Sequence, residues 1–243
     1  MAKSNPRTQA ETVAHGLHRL LGERLHAVLL YGSAAREEYL ESRSDLNVLV
    51  LMDRIDPALL QRMAPAATDW SAQGVNAMLL AEHEWRRASD AFAVELLDMQ
   101  DARILLHGTD PVNGIHVDLH AARLQAEREL RGRIVGLHNG LVQCGREPAL
   151  LGRMLMAALP SFATYLRTAL RLAEKPVPPN TRDVIAQGTE LVGAPAQGWL
   201  RTLDARAQDG EWAVDITDEV IEQYNAAAER TASFVDSLGG GGN

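Results

Sequence analysis

The sequence predicts an α+β protein. A mixed sheet flanked by helices spans residues 1–110, an all-α helical bundle follows over 111–238, and a flexible tail closes the chain at 239–243. Three observations carry this. The runs "HAVLLYG", "LNVLVLM" and "VNAMLLA" are short, apolar and bounded by turn residues, as buried strands are. Stretches of helical periodicity lie around and between them, which is the pattern of a mixed layer. Past Gly108 the composition changes. "GTDPVNG" holds two turn signals, Asp110-Pro111 and Asn113-Gly114, and everything beyond it repeats at helical spacing.

Taken in order, Val13, Leu17, Leu20 and Leu21 form an apolar stripe that predicts a helix over 9–24. "HAVLLYG" is a buried strand stopped by Gly32, and Ser33 is placed to cap a short helix through "AAREEYL". "LNVLVLM", 46–52, is the second strand. Asp56-Pro57 opens a helix to about Ser71, with proline at an early helical position. "VNAMLLA", 75–81, is the third strand, and "FAVELLDM" and "ARILLHG" read as two more. In the second half, Leu130, Ile134, Leu137 and Leu141 define one helix. Leu151, Leu155, Phe162 and Leu166 define the next, in which Pro160 predicts a kink. Val184, Ile185 and Leu191 mark a shorter helix. Val220, Ile221, Tyr224, Ala228 and Val235 mark the last, with Thr217 as its cap. Short connections between such helices predict an antiparallel bundle.

Bulk properties narrow the classes of function. The 243 residues are 46% hydrophobic and 23% charged, with a formal net charge of −8. That charge supplies no global basic field to gather extended nucleic acid. A single cysteine, Cys144, allows no intrachain disulfide and suits a reducing compartment. No apolar run reaches the ~18 residues of a membrane span, and "MAKSNPRTQAET" lacks the apolar segment of a secretory signal. These features predict a cytoplasmic protein with no membrane partner, and a homodimer is compatible with them.

The stretch "LLYGSAAREEYLESRSDLNVLV" concentrates the chemistry. Gly32 lets the backbone approach a phosphate, Ser33 adds a hydroxyl donor, and a helix opening there would add unpaired N–H groups. Arg36 joins Gly32 and Ser33 as a candidate phosphate contact. Eleven residues past Ser33 comes Asp45 at the head of an apolar strand. Side chains alternate along a strand, so Asp45 and Asn47 share one side and Leu46 and Val48 the other. Two polar residues so placed need partners, because burying each unpaired costs ~1–3 kcal/mol. The alternative is a turn, "SRSD", in which Asp45 caps backbone N–H groups.

Strand, Gly32-Ser33, a gap, then Asp45 and Asn47 on a strand resembles the nucleotidyltransferase superfamily of the DNA polymerase beta type. The trailing helices resemble the aminoglycoside and minimal nucleotidyltransferases. The resemblance implies a nucleoside triphosphate cofactor with Mg²⁺, held by two acids at the strand head and a third from a neighbouring strand. A hydroxyl of a small molecule or a protein would be the acceptor. Paired divalent ions ~4 Å apart need anionic oxygens between them, and Mg²⁺ selects hard charged ligands. Asp45 matches the first acid, but Asn47 stands where the second would be. Asn76 lies nearest the third, and Glu95 or Asp98 would substitute if their segment turns inward.

The resemblance therefore implies that Asp45, with Glu95, holds metal. Asp45 and Asn47 are the catalytic candidates, with transfer weakened or lost. A regulatory or antitoxin-like protein-binding module and an active enzyme with a replacement acid stand as alternatives. His116 and His120 are four apart but lack a third zinc ligand. The arginines at 123, 128, 131 and 133 are expected to pair along their own helix, Glu127 with Arg131 and Glu129 with Arg133.

Overall fold

Asn5 caps the first helix: its side chain accepts from the Arg7 N–H at 2.9 Å, and Pro6 supplies a first helical residue with no N–H to satisfy. Helix α1 spans Pro6–Leu21, and a 3₁₀ turn, Gly22–Arg24, leads into the sheet. The structure, a computed structural model, describes residues 5–41 and 43–239. The tail at 240–243 lies outside them. Contacts divide the chain into two compact units, Met1–Val117 and Asp118–Asn243.

The first unit is built on four strands: β1 (Leu25–Tyr31), β2 (Leu46–Met52), β3 (Val75–Ala81) and β4 (Arg103–Gly108). They lie in the order β3-β2-β1-β4, with β2 and β3 parallel and the other pairs antiparallel. Helix α2 (Pro57–Ala72) makes the crossover between the parallel pair, and the Asp56 carboxylate caps it by accepting from the Leu59 N–H at 2.8 Å. Val13 and Leu17 of α1 and Leu59 and Met63 of α2 pack with Val28, Leu30, Val48 and Val50. The alternate residues Leu29, Leu49 and Leu51 are also buried. Both faces of the central strands are therefore covered, which explains why they read as continuous apolar runs.

One predicted strand differs from expectation. "FAVELLDM" is not a strand: helix α4 covers Ala93–Asp101, after α3 (Glu82–Arg87). Continuous apolar runs do not separate the two states by pattern. Here the Leu96 N–H bonds to the Phe92 carbonyl at 2.8 Å, and Trp85 stacks on Phe92 with ring centroids 6.4 Å apart. "ARILLHG" does form a strand, β4. It ends at Gly108, where φ is +77° and an added Cβ would sit 1.8 Å from the His26 carbonyl oxygen, so only glycine fits. Residues 111–117 belong with this unit. The Trp85 indole donates to the Pro111 carbonyl at 3.0 Å and Gln100 to that of Ile115 at 2.8 Å.

The second unit is helical: α5 (Leu119–Cys144), α6 (Pro148–Leu172), α7 (Thr181–Leu191), α8 (Gln197–Ala207) and α9 (Glu219–Ser237). Asp118 caps α5, so the helix begins between His116 and His120. Helix α6 runs through Pro160 without interruption. By length and composition alone it would also pass as a membrane span, but Leu155, Leu159, Phe162 and Leu166 form the centre of this unit. Phe162, Trp199 and Tyr224 meet there, with centroids 5.4–5.8 Å apart. Asp218, not Thr217, caps α9, accepting from the Val220 N–H at 2.9 Å. The Thr217 hydroxyl instead donates to Asp215 at 2.7 Å. The arginines of α5 also choose other partners. Glu127 takes Arg123, Arg131 reaches Asp236 on α9, and Glu129 accepts from Tyr165 and Gln125.

Candidate functional site

The candidate residues gather at one end of the sheet because of its topology. The C-terminus of β1 and the N-termini of β2, β3 and β4 lie together there. The register sets Asn76 beside Asn47, Asn47 beside Tyr31, and Tyr31 beside Arg103, giving a polar row across all four strands. Neighbours in register share a face. The row therefore lies on the side of the sheet opposite α1 and α2.

Asn76 Nδ2 donates to Asn47 Oδ1 at 3.2 Å. In this arrangement the Asn47 amide oxygen faces β3 and its nitrogen faces β1. The nitrogen lies 2.9 Å from where a Cβ on Gly32 would be, and Gly32 has φ +76°. The glycine is required both by its backbone conformation and by this close approach. Asp45 sits immediately before β2 and is exposed. It lies beside Gly74, whose carbonyl accepts from the Leu46 N–H at 2.9 Å. Among the described residues Asp45 caps no turn and has no hydrogen-bond or ion-pair partner.

The segment after Gly32 departs from the expected helix. A three-residue 3₁₀ turn, Gly32–Ala34, replaces it, with Tyr31 rather than Ser33 at the cap position and no side-chain capping bond there. The Ala35 and Arg36 N–H groups both bond to the Gly32 carbonyl, and Glu37 takes φ +61°, which ends the turn. So short a turn carries no appreciable helix dipole, and the Gly32 backbone and Ser33 hydroxyl remain as the local donors.

Arg36 is committed elsewhere. Its guanidinium meets the Asp98 carboxylate at 2.6 and 3.3 Å and the Asp98 carbonyl at 3.2 Å. The two side chains are 7% and 11% exposed, so the pair is nearly sealed from water. Glu95 lies in the first turn of α4, not on a strand. Its charge and that of Asp98 reach Tyr31. Among the described residues no three His, Cys, Asp or Glu side chains come together as a metal cluster. Asp45 and Glu95 are thus not joined by a third acid.

Burial, followed by the charges of Glu95 and Asp98, holds the Tyr31 hydroxyl well above the ordinary tyrosine range. Burial and Glu129 do the same to Tyr165, and burial to Tyr224. In each case the folded protein retains a proton that the unfolded chain releases near pH 10. This stability is fully present below about pH 10 and declines as pH rises beyond it. Alkaline titration followed by circular dichroism should show unfolding in that range, and a Tyr31→Phe variant should lose part of the sensitivity.

The structure brings Gly32, Ser33, Asp45, Asn47 and Asn76, all singled out in the sequence, to one end of the sheet. Gly74, Tyr31 and Arg103 join them there through strand register. "QGVN" before β3 was the available signal for Gly74.

No protein-family model matches the chain, and no curated protein matches it. Solved structures do. A spectinomycin adenyltransferase from Enterococcus faecialis, crystallised with ATP and spectinomycin, is similar at a TM-score of 0.61 and 14% identity, covering 92% of this chain and 98% of that one. The chain has a nucleotidyltransferase-like fold with a helical C-terminal part. In this nucleotidyltransferase-like fold, the polar row, the Gly32 turn and Asp45 occupy one end of the sheet.

Proposed function

We propose that the chain binds a nucleoside triphosphate at the Gly32-Ser33 turn beside Asp45, and that nucleotidyl transfer to a hydroxyl acceptor is weak or lost. The observation that supports this most directly is Asp45 itself. It is an exposed carboxylate at the head of a buried strand, with no hydrogen-bond or ion-pair partner among the described residues, next to Gly74 with its positive φ. A structural aspartate would be expected to cap or pair. The likeness to an enzyme solved with ATP and an antibiotic supports a nucleotide and a small-molecule acceptor as ligands.

A pair of Mg²⁺ ions does not fit these residues. The Asn47 oxygen already accepts from Asn76, its other amide atom is a donor, and among the described residues no acid cluster surrounds Asp45. One ion shared between Asp45 and the phosphates is the most that the donor set can support. What the chain supplies is positioning: Gly32 admits the phosphate chain to the backbone, Ser33 donates a hydroxyl, and Asn47 orients its amide toward the same turn.

Isothermal calorimetry in Mg²⁺ with each of the four nucleoside triphosphates tests this reading. Saturable binding to the wild type is expected, reduced about tenfold or more in Asp45→Ala and Gly32→Ala, with little pyrophosphate released over a panel of hydroxyl acceptors. Absence of binding with all four would refute it. Sustained pyrophosphate turnover would refute the claim of weakened transfer.

A further inference from the structure

Resting on that reading, we infer that Asn47 takes a phosphate oxygen where a second divalent ion would otherwise lie. Its amide N–H group acts as a built-in donor, held in place by Asn76.

The argument begins with which amide atom faces where. An asparagine in this position offers either a carbonyl oxygen, which attracts cations, or an NH₂ group, which repels them and attracts anions. The structure presents the second. Asn76 donates Nδ2 to Asn47 Oδ1 at 3.2 Å, so the oxygen is occupied and the NH₂ points toward β1. There it lies against Gly32, at 2.9 Å from the position of an added Cβ. Nδ2 has no hydrogen-bond partner among the described residues, and Asn47 is only half-buried, so the donor is open to a ligand seated on the turn. Asn76 is exposed and its side chain has no other partner among the described residues, which leaves orienting Asn47 as its role.

A polar donor at this place has a definite electrostatic consequence. A phosphate oxygen gains a hydrogen bond without a bridging cation, whereas a carboxylate there would repel the same oxygen until a cation neutralised both. The amide pair thus converts a cation-demanding position into one that receives the anion directly. Asn47 is a binding residue in this scheme, and Asn76 a positioning residue acting through it.

The test is ATP affinity measured in EDTA and again in Mg²⁺, for the wild type, Asn47→Asp and Asn76→Ala. Asn47→Asp is expected to weaken binding in EDTA by about tenfold or more and to recover it in Mg²⁺. Its ratio of the two dissociation constants should therefore exceed that of the wild type by at least about tenfold. Asn76→Ala, at an exposed position with little bearing on stability, should weaken binding in EDTA severalfold and leave the gain from Mg²⁺ at Asp45 intact. A purely structural role for the pair would not move this ratio. Equal affinities of the wild type and Asn47→Asp in EDTA would overturn the inference while leaving the nucleotide site standing. No ATP binding by the wild type in either buffer would overturn both.

Discussion

Replacing Asp98 with alanine should destabilise the first unit by about 3–5 kcal/mol. Arg36 and Asp98 are 7% and 11% exposed and meet through two side-chain contacts, with a third to the Asp98 carbonyl. A guanidinium so enclosed cannot regain water when its partner is cut away, and the cost is mainly that of the charge left behind. It follows that the damage belongs to the single variant rather than to the loss of the pair. Arg36→Met combined with Asp98→Leu removes both charges and keeps the volume, so it should recover most of the lost stability. Urea midpoints of the three variants measure this. A double variant as unstable as Asp98→Ala would show that the ion pair itself, not the orphaned charge, is what the fold needs. The contact also fixes the segment after Gly32 to α4, so Asp98→Ala should loosen the turn that bears Ser33. Faster amide exchange at residues 33–38 would report it.

Trp199→Ala in the second unit is expected to be as severe, about 3–5 kcal/mol. The indole is fully buried, lies nearly parallel to Phe162 at 5.4 Å and stands edge-on to Tyr224 at 5.8 Å. Truncation removes the ring between Phe162 and Tyr224 and opens a cavity among α6, α8 and α9. The indole nitrogen, however, is buried without a hydrogen-bond partner among the described residues. A donor stranded in this way costs ~1–3 kcal/mol. Trp199→Phe keeps a ring in the cluster and removes the stranded donor, so the two effects oppose each other and the variant should lie much closer to wild type. Thermal and urea denaturation followed by far-ultraviolet circular dichroism would separate the two. If phenylalanine proves as damaging as alanine, the size of the indole outweighs its unpaired nitrogen.

The fold was legible wherever burial imposed a pattern. β1, β2 and β3 are apolar on both faces, and turn residues bound them, so their limits could be read almost residue by residue. Capped α2 was equally clear, because Asp56-Pro57 is a local signal with a local cause. Reading failed where tertiary contacts decide. "FAVELLDM" carries no periodicity that separates strand from helix, and the stacking of Phe92 on Trp85 accompanies its helical form. "AAREEYL" would suit a helix, but Arg36 is held by Asp98, sixty-two residues away in sequence, and Glu37 turns left-handed. The same distinction holds at the site. Asp45 and Asn47 follow from two-residue alternation along one strand. Tyr31, Gly74 and the direction of the Asn47 amide depend on which strands lie side by side, and alternation along a single strand does not contain that.

The row from Asn76 through Asn47 and Tyr31 to Arg103 crosses every strand of the sheet. A slip of one residue by β2 would turn Leu46 and Val48 to the site side and push Asn47 into the hydrocarbon of α1 and α2. A misthreaded sheet would therefore lose its aliphatic core and its polar row in the same step. Selection for a well-folded first unit therefore also holds the backbone positions of its polar end in register, whatever side chains stand there.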